Sequence, residues 1–329
     1  MKKKLLLISA LFIAFTGNKL FAEDINAIQD AIKAKGAKWV AGETSASNLP
    51  QEEKLRLVGL DFQPIKAPPI TDLDSVKTTL PKSIDWRNYK GHSYVSPVRN
   101  QGKCGSCWAF ALTAGLESYV MKNEGAQDKD VDLSEQVMIS CSGVGSCDGG
   151  TLNASFIQKT GLPPESFYPY TATNGSCSSA KEGWKDNTYT IGSWGSVSQN
   201  LSSMKAALVK YGPIPTAMMV YEDFMSYKSG IYSHVSGKKL GGHAVFLVGY
   251  NDDEQYFIVK NSWGPKWGED GFFRIAYSEI ESDTNFGIAT VAYKPAAAKF
   301  KEKEADVNVK IDEGDKALTP ILNPVFEGN

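Results

Sequence analysis

The spacing of apolar residues divides the chain into a helical first half and a strand-rich second half. Within residues 107–124, apolar side chains recur at intervals of three and four, the repeat of one face of an α-helix. Gly125 then supplies a residue suited to the left-handed conformation that ends many helices. Shorter helices are predicted at residues 134–137 and 152–159. Cys107 is therefore expected at or near the beginning of a helix.

The second half is dominated by short apolar runs typical of strands. One helix, residues 204–210, is predicted among them. The predicted strands are residues 213–220, 244–250, 256–259, 272–277 and 288–293. Helices followed by strands indicate an α+β fold.

The first 22 residues have the pattern of a secretory signal peptide. Three lysines follow Met1, residues 5–15 are apolar, and Ala22 is the small residue that a signal peptidase prefers. The alternative is a membrane anchor, but the apolar run is shorter than the roughly 18 residues that a spanning helix needs. We therefore predict export without a stable membrane anchor, to the extracellular medium, the periplasm or the lysosome depending on the host.

Two further segments flank the region of strongest pattern. In residues 23–79, Ile25, Ile28 and Ile32 recur at helical spacing, and Asn48 is an N-cap candidate with Gln51 three residues later. Prolines after residue 63 favour an extended chain. On these residues alone, the segment is a small adaptor, a disordered leader or an inhibitory element. Residues 296–329 mix charges with few aromatics, as disordered tails do.

Composition narrows the functional class. The chain has 329 residues, of which 42% are hydrophobic and 22% charged, and its net charge is −2. These values are ordinary for a globular protein with a sizeable core. Since it has no long basic run or basic aromatic face, we do not expect a nucleic-acid partner.

The five cysteines leave one thiol unpaired if the others form disulfides, which export permits. If Cys107 is that thiol, the other four allow three connectivities, and the sequence alone does not choose among them. A zinc site would use Cys104, Cys107, Cys141 and Cys147, but the last two are too far apart for a typical zinc knuckle. A redox Cys-x-x-Cys motif is also conceivable, although no βαβ pattern surrounds it.

Cys107 has candidate catalytic partners downstream. His243 follows Gly241-Gly242, and Asn261 stands two residues before Trp263, at separations of 136 and 154 residues from Cys107. A thiol becomes a strong nucleophile when a base takes its proton and a third group orients that base. The two remaining histidines lie in loops and do not precede a strand as His243 does.

This arrangement resembles the papain-like cysteine peptidases, which include the cathepsins. Residues 104–108 match their nucleophile signature, C-G-[SA]-C-[WY], and His and Asn follow at about the family's separations. The resemblance covers roughly residues 80–295. It implies an α+β, two-lobed papain-like fold, with a helical left lobe, a barrel-like right lobe and the active-site cleft between them.

The resemblance also implies the roles of individual residues. Cys107 would be the nucleophile, His243 the base, Asn261 the group that orients the ring, and Gln101 an oxyanion donor. Trp263 would shield the bond between histidine and asparagine. Cys107 and His243 would rest as a thiolate–imidazolium pair, and the disulfides would be Cys104–Cys147 and Cys141–Cys177.

By the same resemblance, the chain is a zymogen. Residues 23–79 would be an inhibitory propeptide, similar to the short cathepsin B type, and residues 80–295 the catalytic domain. The loop at 151–176 is too short for the occluding loop of cathepsin B and has no histidine, so an endopeptidase is expected. The expected partners of this monomer are protein or peptide substrates and its own propeptide, with no cofactor or metal.

Substrate-binding residues follow by alignment with the family. Gly149 and Gly150 would let the backbone of an extended substrate approach closely. The second subsite would be lined by Leu152, Ala217 and Gly241, with Val291 at its floor. This pocket is apolar, so a bulky apolar residue is expected two positions before the cut. The alternative functions are an inactive papain-fold binding or inhibitory protein and a disulfide- or zinc-stabilised adhesive domain.

Overall fold

The computed structural model describes residues 24–63, 66–78 and 80–296. The predicted signal peptide and almost all of the charged tail lie outside the described residues. The helices are α1 (Ile25–Lys35), α2 (Gln51–Arg56), α3 (Asp74–Lys77), α4 (Cys107–Asn123), α5 (Glu135–Cys141), α6 (Ser155–Lys159) and α7 (Leu201–Tyr211). The strands are β1 (Lys38–Ala41), β2 (Ser83–Asp85), β3 (Gly145–Ser146), β4 (Gly149–Gly150), β5 (Ser193–Val197), β6 (Ile214–Tyr221), β7 (Tyr227–Tyr232), β8 (Lys239–Asn251), β9 (Tyr256–Lys260), β10 (Phe272–Ala276) and β11 (Thr290–Lys294).

A seven-stranded sheet forms most of the second half. Its order is β1-β7-β10-β9-β8-β2, and β6 also pairs with β8. All pairs are antiparallel except β10 with β7. The long strand β8 is almost wholly buried because it has neighbours on both edges and packs against α4. The sheet and the helices of the first half together give the expected α+β fold with two lobes.

The core helix α4 is buried on nearly every side. All but three of its 17 residues are buried, so it lacks the single apolar face that its sequence spacing suggested. The reason is its position, since it packs against β8 and β6 on one side and against α5 on the other. Cys107 is its first residue, as predicted.

Several local predictions differ from the structure. Helix α2 begins at Gln51 after Pro50, and Asn48 is not its cap. Helix α6 begins at Ser155, three residues later than predicted. The strands β5 and β7 were missed because their serine and glycine content hides the strand pattern. Pairing stabilises them in the fold, β5 with β11 and β7 with β1 and β10.

The disulfides join Cys104 to Cys147 and Cys141 to Cys177, the pairs that the resemblance implies. They close segments with sequence separations of 43 and 36 residues, and loops of that size typically add roughly 3–4 kcal/mol of stability each. Cys107 is left as a buried free thiol. These bonds occupy three of the four sulfurs that the zinc alternative required.

The segment before the catalytic region packs onto the sheet. Strand β1 adds to the edge of the sheet by pairing with β7. Trp39 on β1 is 4% exposed, and its indole N–H donates to the Ser233 carbonyl at 3.0 Å. We call residues 24–63 and 66–78 the leading segment. Within the residues that the structure describes, no helix is both long and apolar enough to cross a membrane.

Candidate active site

Cys107 lies at the N-terminus of α4, against strand β8. Its sulfur is fully buried and accepts the backbone N–H of Ala244 at 3.5 Å. Ala244 directly follows His243 on β8, so the sulfur lies beside the strand that carries the imidazole. Because Cys107 is the first helical residue, its own N–H has no acceptor within the helix.

His243 is oriented by Asn261. Its Nε2 lies 2.8 Å from Asn261 Oδ1, and the same oxygen accepts the backbone N–H of Ser262 at 2.8 Å. Since a carbonyl oxygen only accepts, Nε2 carries the proton and Nδ1 keeps its lone pair. Nδ1 is buried and has no hydrogen-bond partner among the described residues. The free nitrogen is therefore the one that can act as a base.

Trp263 covers the pair formed by His243 and Asn261. Its ring lies 4.8 Å from the imidazole, measured between centroids, at an angle of 34°. The indole is 3% exposed and packs edge-on against Phe224 and Trp267. This aromatic cluster keeps water from the Nε2–Oδ1 hydrogen bond, which strengthens it.

Gln101 is held with its amide nitrogen toward the cleft. Its Oε1 accepts the hydroxyl of Ser262 at 2.7 Å, and its Nε2 donates to the Cys104 carbonyl at 2.9 Å. The remaining N–H of that amide points to the carbonyl of Leu57 in the leading segment, at 3.4 Å. Ser262 was missed by sequence reasoning, although its place between Asn261 and Trp263 was a usable signal.

Gly149 and Gly150 lie where an extended chain crosses the cleft. Gly150 donates to the Gly59 carbonyl at 3.0 Å and accepts the N–H of Asp61 at 2.8 Å. A Cβ on Gly150 would lie 2.6 Å from the Trp108 ring, so only glycine fits there. Leu60 donates to the Gly242 carbonyl at 3.0 Å on the opposite wall. The leading segment is thus bound by backbone hydrogen bonds to both walls.

Leu60 of the leading segment is buried in the same part of the core as most residues of the predicted second subsite. This side chain is 6% exposed and belongs to the same buried apolar cluster as Leu152, Ala217 and Val291. Gly241 lies instead beside Val58, whose Cγ2 would be 3.0 Å from a Cβ at that position. Three of the four residues proposed for this pocket thus belong to one buried cluster with Leu60, while Gly241 lies beside Val58.

Comparison with known proteins assigns the family. The model of the papain family of cysteine proteases matches residues 80–296. The chain belongs to the papain family of cysteine proteases. It is 39% identical to human cathepsin L2 over 233 residues, 66% of each chain, and 32% identical to ananain of Ananas comosus over 84% of this chain and 79% of ananain. These relatives identify it as a papain-like cysteine endopeptidase.

Solved precursors of this family share the fold. A recombinant stem bromelain precursor superposes with a TM-score of 0.71 at 30% identity, covering 84% of this chain and 90% of the precursor. The procathepsin B S9 of Trypanosoma congolense gives a TM-score of 0.72 at 24% identity, covering 83% and 98%, and shows the fold alone. Both structural matches cover more of the chain than the family model, which matches residues 80–296. The similarity therefore extends into the leading segment.

In this papain-family chain, burial changes the acid–base properties of the site. Burial raises the pKa of the Cys107 thiol to about 11 and lowers that of His243 to about 4, although the Asn261 side chain and the Leu57 backbone oppose the latter shift. Burial therefore favours the neutral form of each group in the closed chain. The thiolate–imidazolium pair expected from the sequence stays a prediction for the processed enzyme.

The described residues contain no group of three or more His, Cys, Asp or Glu side chains arranged to hold a metal ion. The side chains of the site supply a thiol and an oriented imidazole, with amide donors nearby.

Proposed function

We propose that the chain is the zymogen of an exported cysteine endopeptidase that cleaves peptide bonds through a thioester on Cys107. One observation carries this proposal. His243 donates through Nε2 to Asn261 and so keeps Nδ1 as its basic nitrogen, while the sulfur of Cys107 lies against the next residue of the same strand. A nucleophile, a base and an orienting group thus meet at one point of the cleft.

The first half of the reaction forms the acyl-enzyme. His243 takes the thiol proton, and the thiolate attacks the carbonyl carbon of the scissile peptide bond. The developing oxyanion is stabilised by the Gln101 amide and the Cys107 backbone N–H. The C–N bond then breaks, His243 gives its proton to the departing amine, and the acyl group remains on the sulfur as a thioester.

The second half restores the enzyme. His243 takes a proton from water, whose oxygen attacks the thioester carbonyl. The C–S bond breaks, the carboxylic acid leaves, and the sulfur regains its proton from His243. Asn261 holds the ring in one orientation through both halves, so the same nitrogen serves as base and acid.

Labelling by an active-site epoxide tests this assignment. We expect the processed protein to lose peptidase activity as one epoxide adds, and mass spectrometry to locate the adduct on Cys107. Cys107→Ala is the matched control and should neither react nor hydrolyse peptides. A processed wild-type protein that binds peptides without labelling or turnover would instead be the inactive papain-fold binder.

We also propose that residues 23–79 are the inhibitory propeptide of this zymogen, and that 80–295 is the catalytic domain. Residues 57–61 of the leading segment contact Gln101, Gly150 and Gly242 through backbone groups, and both Cys107 and His243 are fully buried. The resemblance implies a chain direction opposite to that of substrate, so no peptide bond of the segment is aligned for attack. Full activity of an uncleaved chain would contradict this proposal.

The proposed specificity follows from the residues of the predicted second subsite. Its apolar lining favours a bulky apolar side chain at the second residue before the cut, because burying that area contributes roughly 25 cal/mol per Å². A reporter peptide with Phe or Leu at this position should be cleaved at least tenfold faster, in kcat/KM, than one with Arg. Val291→Glu should narrow that difference, whereas the exposed-site variant Asn187→Glu should not. The reverse ranking in the wild type would refute the assignment of Val291.

The proposal also covers export and the oligomeric state of the enzyme. We infer that residues 1–22 are removed on export and that the enzyme acts as a monomer outside the cytoplasm. N-terminal sequencing of the exported protein and analytical ultracentrifugation test these two points.

A further inference from the structure

Tyr170 contacts both ends of the loop that carries the proposed oxyanion donors. It is partly buried, and its ring lies edge-on to Phe110 on α4, with centroids 4.9 Å apart. Its backbone N–H donates to the Glu165 carboxylate at 2.5 Å. The side chain is thus fixed at both its backbone and its ring, and its hydroxyl points toward residues 101–106.

The hydroxyl group of Tyr170 joins two residues of that loop. It donates to the backbone carbonyl of Gln101 at 2.6 Å and lies 2.7 Å from the hydroxyl of Ser106. Since the carbonyl can only accept, the tyrosine proton is used there. The Ser106 hydroxyl then donates to the tyrosine oxygen at 2.7 Å in preference to the Cys104 carbonyl at 3.5 Å. Burial raises the pKa of Tyr170, which keeps this phenol protonated. The result is an ordered chain of two hydrogen bonds from Ser106 through Tyr170 to Gln101.

Ser106 departs from the usual behaviour of a residue in its place. It is the N-cap of α4, where a serine side chain normally accepts a backbone N–H of the first turn. Here the side chain makes no such bond. Its hydroxyl is directed to Tyr170 instead, so the residue before Cys107 is positioned by the tyrosine.

We propose that Tyr170 is a positioning residue for the oxyanion hole, and that its hydroxyl sets the distance between the Gln101 amide and the Cys107 backbone N–H. The inference rests on the proposed peptidase function. Gln101 and Cys107 are six positions apart in the loop. The Tyr170 hydroxyl bonds to Gln101 and to Ser106, the residue before Cys107. Tyr170 itself does not touch the substrate. Its effect should therefore fall on the stabilisation of the oxyanion and leave substrate binding unchanged.

The test is Tyr170→Phe in the processed enzyme, which removes one oxygen and keeps the ring against Phe110. We expect kcat to fall about tenfold with KM unchanged, less than the 10²–10³ typical for removing an oxyanion donor itself. Alkylation of Cys107 by iodoacetamide forms no oxyanion, so its rate should not change. Equal losses in both reactions would indicate a general disturbance of the site and overturn the proposal.

Tyr168→Phe is the matched control, because Tyr168 lies two residues away and donates to the Ser176 carbonyl at 3.0 Å, outside the site. It should retain wild-type kcat, and a loss equal to that of Tyr170→Phe would contradict the proposal. In a Gln101→Ala background, Tyr170→Phe should cost threefold or less, because coupled residues have non-additive effects. A further tenfold loss there would show that Tyr170 does not act through Gln101.

Two outcomes separate this inference from the function on which it rests. If the processed wild type hydrolyses no peptide, the proposed function fails and the inference falls with it. If the wild type is active and Tyr170→Phe retains full kcat, only the inference fails. Should Tyr170→Phe not fold, Ser106→Ala breaks the first bond of the same chain; a threefold fall in kcat would support the proposal, and no change would overturn it.

Discussion

The catalytic cluster and the leading segment that covers it are held by different kinds of contact. In the cluster, Asn261 Oδ1 accepts two hydrogen bonds and Ser262 bonds to Gln101 through both its hydroxyl and its carbonyl. All these partners lie within residues 80–296. The leading segment is held in the cleft by backbone hydrogen bonds around residues 59–61 and by anchors outside the cleft.

This difference separates the two functions of the chain. None of these hydrogen bonds within the cluster involves the segment, so we expect them to persist when the segment leaves. We expect the segment to change the solvation of the site, since residues 57–61 lie against Gln101, Gly150 and Gly242 while Cys107 and His243 are fully buried. Inhibition and catalysis should therefore respond to different substitutions.

The largest effect is expected in the reactivity of Cys107. With the leading segment in place, the raised pKa of about 11 leaves on the order of 10⁻⁴ of the thiol ionised at pH 7. Processing should therefore accelerate alkylation by iodoacetamide at pH 7 at least a hundredfold. In the uncleaved chain, the rate should rise about tenfold per pH unit above pH 7 until it levels near the raised pKa.

The unfolded chain provides the control for this measurement, because its thiol has an ordinary pKa. If the closed chain reacts as fast as the processed one at pH 7, the segment does not control the site through burial. The proposed separation between inhibition by the segment and catalysis by the cluster would then be wrong.

A substitution in the segment should release the site without damaging it. Gly59 passes so close to the loop before Cys107 that a Cβ would lie 2.1 Å from the Gly105 carbonyl oxygen. Both groups are backbone, so Gly59→Ala cannot be accommodated by a side-chain movement. A peptide of residues 24–78 carrying this change should inhibit the processed enzyme about a hundredfold more weakly than the wild-type peptide, as measured by its Ki.

Gly42→Ala is the matched control, because its Cβ would meet only the flexible side chain of Lys228, at 2.9 Å. Its Ki should stay within threefold of the wild-type value. Equal weakening by both variants would mean that the contact at Gly105 has no special role. In neither case should the kcat of the processed enzyme change, because the substitutions lie in the added peptide.

The sequence was informative about the site because its residues stand in short motifs whose chemistry is local. Cys107 at a helix N-terminus, His243 on a strand and Asn261 before Trp263 could each be read from neighbouring residues. Most strands of the sheet were also predicted, since β6, β8 and β9 have long apolar runs that no solvent-exposed segment would keep.

What the sequence could not supply depends on distant pairing. Strand β1 contains only four residues and is stabilised by β7, nearly 190 positions later. Tyr170 and Ser106 are ordinary polar residues until the fold brings their hydroxyls within 2.7 Å of each other. Residues 57–60 also contact the site, and no local pattern links them to the catalytic motifs.

The smallest expected effect concerns an anchor outside the cleft, at Asp72. Its carboxylate accepts the hydroxyl of Tyr211 at 2.6 Å and lies 2.8 Å from Nζ of Lys210 and 3.6 Å from Nζ of Lys294. Nearby, Ile70 donates to the Ser196 carbonyl at 2.8 Å, and Ser196 donates to Pro68 at 3.0 Å. Residues 66–73 thus form a strap along β5 and α7 that cleavage within the cleft would not by itself remove.

The strap should contribute to inhibition through a charge that is lost only in strong acid. The hydrogen bond with Lys210 is the largest influence and holds the pKa of Asp72 well below its ordinary value of 3.8. A depressed carboxylate pKa stabilises the bound state above pH 3.8, and that contribution disappears as the pH falls through the lowered pKa. Because the carboxylate is nearly half exposed, solvent screening keeps the effect small.

Asp72→Asn should therefore raise the Ki of the 24–78 peptide about threefold to fivefold at pH 7, with the two peptides converging only well below pH 3.8. Asp74→Asn is the matched control, because the ion pair of Asp74 is with Lys77, which also lies in the leading segment. If inhibition by the wild-type peptide weakened steeply between pH 6 and pH 4, and inhibition by the Asp72→Asn peptide weakened identically, the acid-sensitive contact would lie elsewhere. The strap would then bind through Ile70 and Leu73 alone, which are buried against the core and carry no charge.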